Sequence, residues 1–340
     1  MLKKMMFVAA LSPLAMTAVA HADSITVAAW GGSYQDALRA SFFEPTAKEL
    51  GITIAEDNLS TGLADIRLQV QGKSVRWDLV DISAEECVAG EKEGLFEPLD
   101  YNIVKSDGID KRLVGKSWIG FVYYSVVLAH NTNSKEATPK NWKDFFDTKG
   151  FPGRRSLGNF PSETLTIAAM ADGTHVDKVY PIDLDKAFAK LEELKPNITA
   201  WWSSGTQATN LIMDNEVDYG SSWNGRIATL KASGAPVDWV VEGGVLNADC
   251  LVIPKGAKNK DLAMKALARF VSPDLQANLP KHAANGPVNV KAFETGKLTR
   301  EEAAKVISSP ENLKKQVLLD PQFWGDNIVG IQARWQNLVQ

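Results

Sequence analysis

Short apolar runs alternate with helically spaced apolar positions through the first third of the chain, the pattern of successive parallel β-α-β units. Ile25–Trp30 reads as a strand and Gly31-Gly32 as a tight turn. Ser33 to Asp36 has the spacing of a capping box, opening a helix that buries Leu38, Phe42 and Leu50 before Gly51 ends it. Ile52–Ala55 is the next strand, Leu63, Ile66 and Val70 mark a second helix, and Trp77–Ile82 a third strand. Glu85–Glu93 forms a third helix, closed by Gly94 at a C-cap position. Trp118–Ala129 is a long β-branched and aromatic run, read as a buried strand long enough to pass from one domain into another. From Pro139 to Gly158 the chain reads as a loop with one short helix at Trp142–Phe146. Helical periodicity returns at Thr164–Ala171, Leu184–Leu194, Gln207–Met213, Asp261–Val271, Glu301–Ile307 and Ile328–Leu338. Val217–Ser221, Val237–Val241 and Ala248–Ile253 read as strands. No Gly/Ser linker separates two halves, so two α/β domains whose connections cross more than once are expected.

The 340 residues are 45% hydrophobic and 23% charged, an ordinary globular balance for about two domains. A net charge of −4 gives no footprint for nucleic-acid binding. Residues 1–22 have the form of a secretory signal peptide: Lys3 and Lys4, an apolar stretch from Met5 to Ala20, and an Ala20-His21-Ala22 cleavage site. Removing them, with their two lysines, takes the charge to −6 and predicts a mature periplasmic chain beginning at Asp23. No Cys stands at the cleavage site to carry a lipid anchor. Cys87 and Cys250 lie far apart without a CxxC spacing, and two buried free thiols are favoured over a bridge.

Ligands of α/β folds bind beyond the carboxyl ends of the strands, and those ends carry aromatic and small hydroxyl residues here. Trp30, Tyr34, Ser83, Trp202, Trp223 and Phe323 are the candidates, a set suited to enclosing a small polar ligand. Arg226 and Asp249 are isolated charges amid apolar sequence and must be paired or solvated. They form either a structural salt bridge or two poles of a binding site. HExxH, GxGxxG, P-loop and GxSxG motifs are absent, and the three histidines after the signal peptide (His130, His175, His282) lack metal-ligand spacing. No enzymatic activity, cofactor or metal is expected.

Several segments, in this order, carry a resemblance: ITVAAWGGSYQDAL, WDLVDIS, NWKDFFDTKGFPGRRSLG, DYGSSWNGR, ADCLVIPKGAKNKDLAMKALARFVS and ANGPVN. The chain resembles the periplasmic solute-binding proteins of ABC importers, of the spermidine/putrescine-binding type, over nearly its whole mature length. That resemblance implies an α/β, two-lobed periplasmic binding protein of type II: hinged lobes, crossing strands, and a ligand cleft between them. Lobe 1 would comprise residues 23–127 plus about 250–300, and lobe 2 about 128–249 plus about 301–340. A cognate ABC permease and a monomeric state are implied.

In polyamine receptors the positions of Trp30 and Tyr34 carry cleft aromatics, Ser83 a polar residue, Trp223 the Trp of a W-N-G element, and Asp249 an ammonium acceptor. The chain departs from that pattern at Asn247, where Trp is frequent, and at Glu85, where Tyr is frequent. No acidic cluster for a far amine is evident around Ser162-Glu163-Thr164, and Arg226 stands beside the cleft motif. An Arg opposite an Asp selects a zwitterion, with carboxylate on Arg226 and ammonium on Asp249, whereas a diamine would be repelled. The expected ligand is a short ω-amino acid, as in receptors for γ-aminobutyrate. A polyamine receptor is the alternative, followed by a ferric-ion receptor and a secreted hydrolase.

Overall fold

The computed structural model describes residues 23–340; the expected signal peptide lies outside the described residues. Ten strands form one sheet. They are β1 (Ser24–Ala29), β2 (Thr53–Asn58), β3 (Leu79–Ser83), β4 (Trp118–Asn131) and β5 (Arg155–Gly158). β6 (Ile198–Trp202), β7 (Tyr219–Trp223), β8 (Val237–Val252), β9 (Gly286–Pro287) and β10 (Val317–Leu318) complete it. The order is β2-β1-β3-β8-β4-β7-β5-β6, with β9 on β4 and β10 on β8.

The helices that flank the first strands are α1 (Gly32–Leu38), α2 (Glu44–Leu50), α3 (Leu63–Gln71) and α4 (Ala84–Lys92). In the middle of the chain lie α5 (Trp142–Phe146), α6 (Pro161–Ala169), α7 (Leu184–Leu194), α8 (Gly205–Met213) and α9 (Asn224–Ala232). The last third carries α10 (Lys260–Phe270), α11 (Pro273–Gln276), α12 (Arg300–Lys305), α13 (Pro310–Leu313) and α14 (Pro321–Val339).

The arrangement is two-lobed. β1, β2 and β3 run parallel on one side, β5, β6 and β7 parallel on the other, and the long antiparallel pair β4/β8 joins them. At about 3.3 Å per residue, each of these two strands spans on the order of 45–50 Å, enough to serve two cores. One core draws on residues 25–127 and 246–288, including Phe42, Phe121 and Phe270. A second draws chiefly on 126–245 and 317–338, including Phe145, Phe188 and Trp324. A smaller apolar cluster around Trp202 and Ile227 completes the second side.

Three local readings are corrected. The segment expected to be a loop through Gly158 ends in a fully buried strand, β5, and Ile198–Trp202 is a strand that the pattern did not reveal. Both lack the alternation that marks a strand in isolation and are specified by parallel pairing with each other. Val237–Val241 and Ala248–Ile253 belong to one strand, which runs through Gly243 and Gly244 at a bulge: the partners on β4 step from Val126↔Val245 to Leu128↔Val240. Finally, Ser33 does not cap α1: the N-cap position is Gly31, with no side-chain cap bond, and its N–H donates to Gln35 Oε1 (3.2 Å). Gly31 has φ +72°, a conformation that side chains disfavour.

Candidate functional site

The carboxyl ends of β1 and β3, together with β8 between the lobes, bring acidic groups together. Tyr34, in the first turn of α1, points its hydroxyl at two carboxylates, 2.9 Å from Asp81 Oδ2 and 3.2 Å from Asp249 Oδ2. Pairing of Ser83 with Asp249, and of Asp81 with Leu251, puts both acids on one face of the sheet. Both are buried, and Asp81 Oδ1 has no hydrogen-bond partner. Burial pushes the Asp81 carboxyl up to about 8. Burial, and then the charge of Asp81, raises Asp249 well above the carboxylate range. Burial foremost, with both neighbouring acids, also holds the Tyr34 phenol in its protonated form. Among the described residues neither aspartate has a cationic partner, so the structural salt bridge between Arg226 and Asp249 is ruled out.

α4 adds two more carboxylates. Ser83 caps this helix, with its hydroxyl donating to Glu86 Oε2 (3.1 Å), while Glu86 Oε1 accepts from the Leu63 N–H (3.1 Å). The Ser83 side chain is therefore engaged in the cap. Glu85 is half-buried, and burial raises its carboxyl to about 7. The helix is tied to the site by a disulfide between Cys87 and Cys250 (Cα–Cα 6.6 Å), correcting the expectation of free thiols. These cysteines are 163 residues apart, and only the stacking of α4 over β8 brings them together.

The opposite wall comes from α6 and β7. Glu163, in the first turn of α6, is buried and accepts from Asn247 Nδ2 (2.8 Å) and Trp223 Nε1 (3.2 Å). Burial raises it to about 8 despite those bonds, which pull the other way. Tyr124 lies opposite Asn247 on β4, and its phenol is raised by burial and then by the charges of Glu163, Asp249 and Glu85. Asn247 Oδ1 lacks a partner.

Other candidates fall at different distances from this cluster. Trp223 meets Trp202 edge-on at 5.2 Å between ring centroids, and Phe160 packs on both. Trp202 is fully buried, with Nε1 donating to Ser221 Oγ (3.2 Å), so it backs Trp223 instead of forming the cleft wall expected of it. Arg226 is exposed on the first turn of α9 and has no ion pair among the described residues. Its side chain packs beside Trp223 over Gly205, where a Cβ would come within 3.0 Å of Nε. It thus stands where β6 and β7 end. Trp30 is 41% exposed just past β1. Phe323 meets Tyr180 and Trp324 edge-on, at 5.4 and 5.2 Å between ring centroids.

Asp81, Glu163, Asn247 and Tyr124 were not singled out from the sequence as binding residues. Asp81 interrupts the apolar run Leu79-Val80-Asp81-Ile82, the same signal that marked Asp249, and could have been found. Glu163 gave no such sign. Its neighbours in sequence are ordinary, and its partners are 60 and 84 residues away.

Chemically the cluster is rich in hydrogen-bond acceptors and poor in donors. Buried carboxylates either hold protons or take a cation, and burial here favours the protonated forms in the absence of one. No three His, Cys, Asp or Glu side chains among the described residues are arranged to hold a metal ion. The cluster is suited to N–H donors on a positively charged ligand.

This fold and this site belong to a known class. Residues 41–306 match the family of bacterial extracellular solute-binding proteins, and the chain belongs to that family. A crystal structure of an ABC transporter substrate-binding protein from Bradyrhizobium japonicum USDA 110 is 40% identical, with a TM-score of 0.90, over 94% of this chain and 100% of that one. The γ-aminobutyric acid-binding protein of Pseudomonas aeruginosa is 29% identical over 330 residues, 94% of this chain and 92% of the relative. The spermidine/putrescine-binding periplasmic protein of Escherichia coli is 26% identical over 305 residues, 86% and 82% of the two chains. The chain is the substrate-binding component of an ABC transporter, an assignment that matches the resemblance read from the sequence.

Proposed function

We propose that this protein captures a short ω-amino acid of the γ-aminobutyrate type in the periplasm and delivers it, as a monomer, to its permease. The observation that carries the reading is the pairing of unlike walls. Asp249 and Asp81 offer acceptors with no cation, while Arg226, beside Trp223 where β6 and β7 end, offers a guanidinium with no ion pair among the described residues. An ammonium group would replace the proton held between the two aspartates, taking bonds from Asp249 and the unpartnered Asp81 Oδ1. The ligand carboxylate would pair with Arg226 as the lobes close, and Trp223 would cover the methylenes. The P. aeruginosa relative supports this ligand class. The two lobes would divide near residues 127 and 249, in line with the two apolar cores.

A second reading, a polyamine, is favoured by one specific observation. Glu163 is a further buried carboxylate, held by Trp223 and Asn247, that could receive a second ammonium once deprotonated. Under the first reading Glu163 stays protonated beside the ligand carboxylate, which its raised pKa allows.

Calorimetry of γ-aminobutyrate and putrescine against the wild type and Arg226→Ala separates the two. The amino acid should bind tighter to the wild type and lose about tenfold or more in the variant, equivalent to about 1.4 kcal/mol. Putrescine binding that exceeds that of γ-aminobutyrate in the wild type, and is unchanged by Arg226→Ala, would replace the first reading with the second.

A further inference from the structure

At the opposite edge of lobe 1, away from the cleft, four cations line one shallow groove. They are Lys73 and Arg76 in the segment after α3, and Lys255 and Lys258 in the segment after β8. β3 and β8 are antiparallel, with Val80 opposite Val252 and Ser83 opposite Asp249. The start of β3 and the end of β8 therefore share an edge, about 13 Å along β3 from Ser83 at 3.3 Å per residue.

All four side chains are exposed, and none forms an ion pair among the described residues. Two carboxylates border the groove, but both have other partners. Asp57 accepts from Trp77 Nε1 (2.7 Å), and Glu97 accepts from the Gly256 N–H (2.9 Å). The backbone beneath is fixed: Ser74 N–H bonds Gln69 O (3.0 Å), Arg76 N–H bonds Gln69 Oε1 (2.9 Å), and Asn259 N–H bonds Asp78 Oδ1 (2.9 Å). The cations are thus held together on a chain whose overall charge is negative. The helix leading into the groove also exposes Leu68, at 73%, on its last turn.

We propose that this groove is a docking surface for the phosphate headgroups of an anionic phospholipid bilayer. Unpaired cations concentrated on one face seek phosphate, and an exposed leucine beside them suits the interfacial layer of a membrane. A substrate-binding component works beside the membrane that holds its permease, so such a surface lies within its reach. The groove holds no exposed aromatic for stacking bases; Trp77, next to Arg76, is buried. Docking through this edge leaves the acidic cleft open, so membrane retention and ligand capture do not compete.

Co-sedimentation of the mature protein with phosphatidylglycerol/phosphatidylcholine vesicles tests the proposal, with pure phosphatidylcholine as the control. The expected result is sedimentation with the anionic vesicles only, diminishing as salt rises. Lys73→Glu/Lys258→Glu should weaken it at least 20-fold, at about fivefold for each cation lost. Leu68→Ser should weaken it less, and both variants should bind the transported solute as the wild type does. Equal sedimentation with both vesicle types, or an unimpaired double variant, would overturn the proposal. So would amide shifts at Lys255 to Lys258 with inorganic phosphate in a protein that no vesicle retains, since the groove would then serve a free anion.

Discussion

The two walls of the cleft hold charge in different ways. On the lobe 1 side, Asp81 and Asp249 project from adjacent strands, share the Tyr34 hydroxyl, and lie beside a helix bridged to β8 by the Cys87–Cys250 disulfide. Their positions are set before any ligand arrives. On the lobe 2 side, Trp223 rests on a buried Trp202, and Arg226 beside it is exposed on a helix with no ion pair among the described residues. Under the proposed function the fixed acids would supply affinity for an ammonium group, and the exposed guanidinium would decide which ammonium compounds are retained. Affinity and selectivity would then rest on separate elements.

Asp249→Asn breaks the first wall and should have the largest effect. It removes the charge while preserving an acceptor for Tyr34, and ligand binding should fall by about 2–5 kcal/mol, measured by calorimetry. The unliganded protein should melt no lower than the wild type, because a repulsive pair has been relieved. Opening the disulfide with Cys87→Ser/Cys250→Ser should cost about 2–4 kcal/mol of stability in denaturant titration. If the bridge preorganises the acids, that variant should also bind more weakly when fully folded. Loss of stability with unchanged affinity would show that the pinning of α4 is structural alone.

Arg226→Ala comes next, with its tenfold, ligand-selective effect. pH then sharpens the contrast between readings. Asp81 and Glu163 titrate near 8 in the fold, well above an ordinary carboxyl. The folded state therefore holds more protons than the unfolded chain from about pH 4 to 8, and the unliganded protein should lose stability as pH rises across that range. Melting curves taken across it check the sign. Binding an ammonium group must release protons from the aspartate pair, visible in calorimetry as heat that depends on the buffer. A diamine should release more, because Glu163 ionises as well. The smallest effect is expected from Trp223→Phe, which keeps the edge contact with Trp202 but removes one donor to Glu163. Ligand affinity should change by about 1 kcal/mol.

The sequence by itself determined the class of fold and singled out Asp249, a member of the buried acidic cluster. The long apolar run at Trp118–Ala129 is the joining strand, the β-α-β rhythm of the first third is present, and Asp249 stands out because a charge in an apolar strand needs a partner. It did not show β5 and β6, whose short runs become strands only through their neighbours. Nor did it show that Ser83 is spent on a helix cap, or that Trp202 lies behind Trp223. The meeting of Glu163 with Asn247 and of Cys87 with Cys250 was decided by tertiary structure alone. Periodicity reports which face of an element is buried, whereas these contacts join elements more than 80 residues apart, and only the packing of helices across the sheet sets which side chains meet.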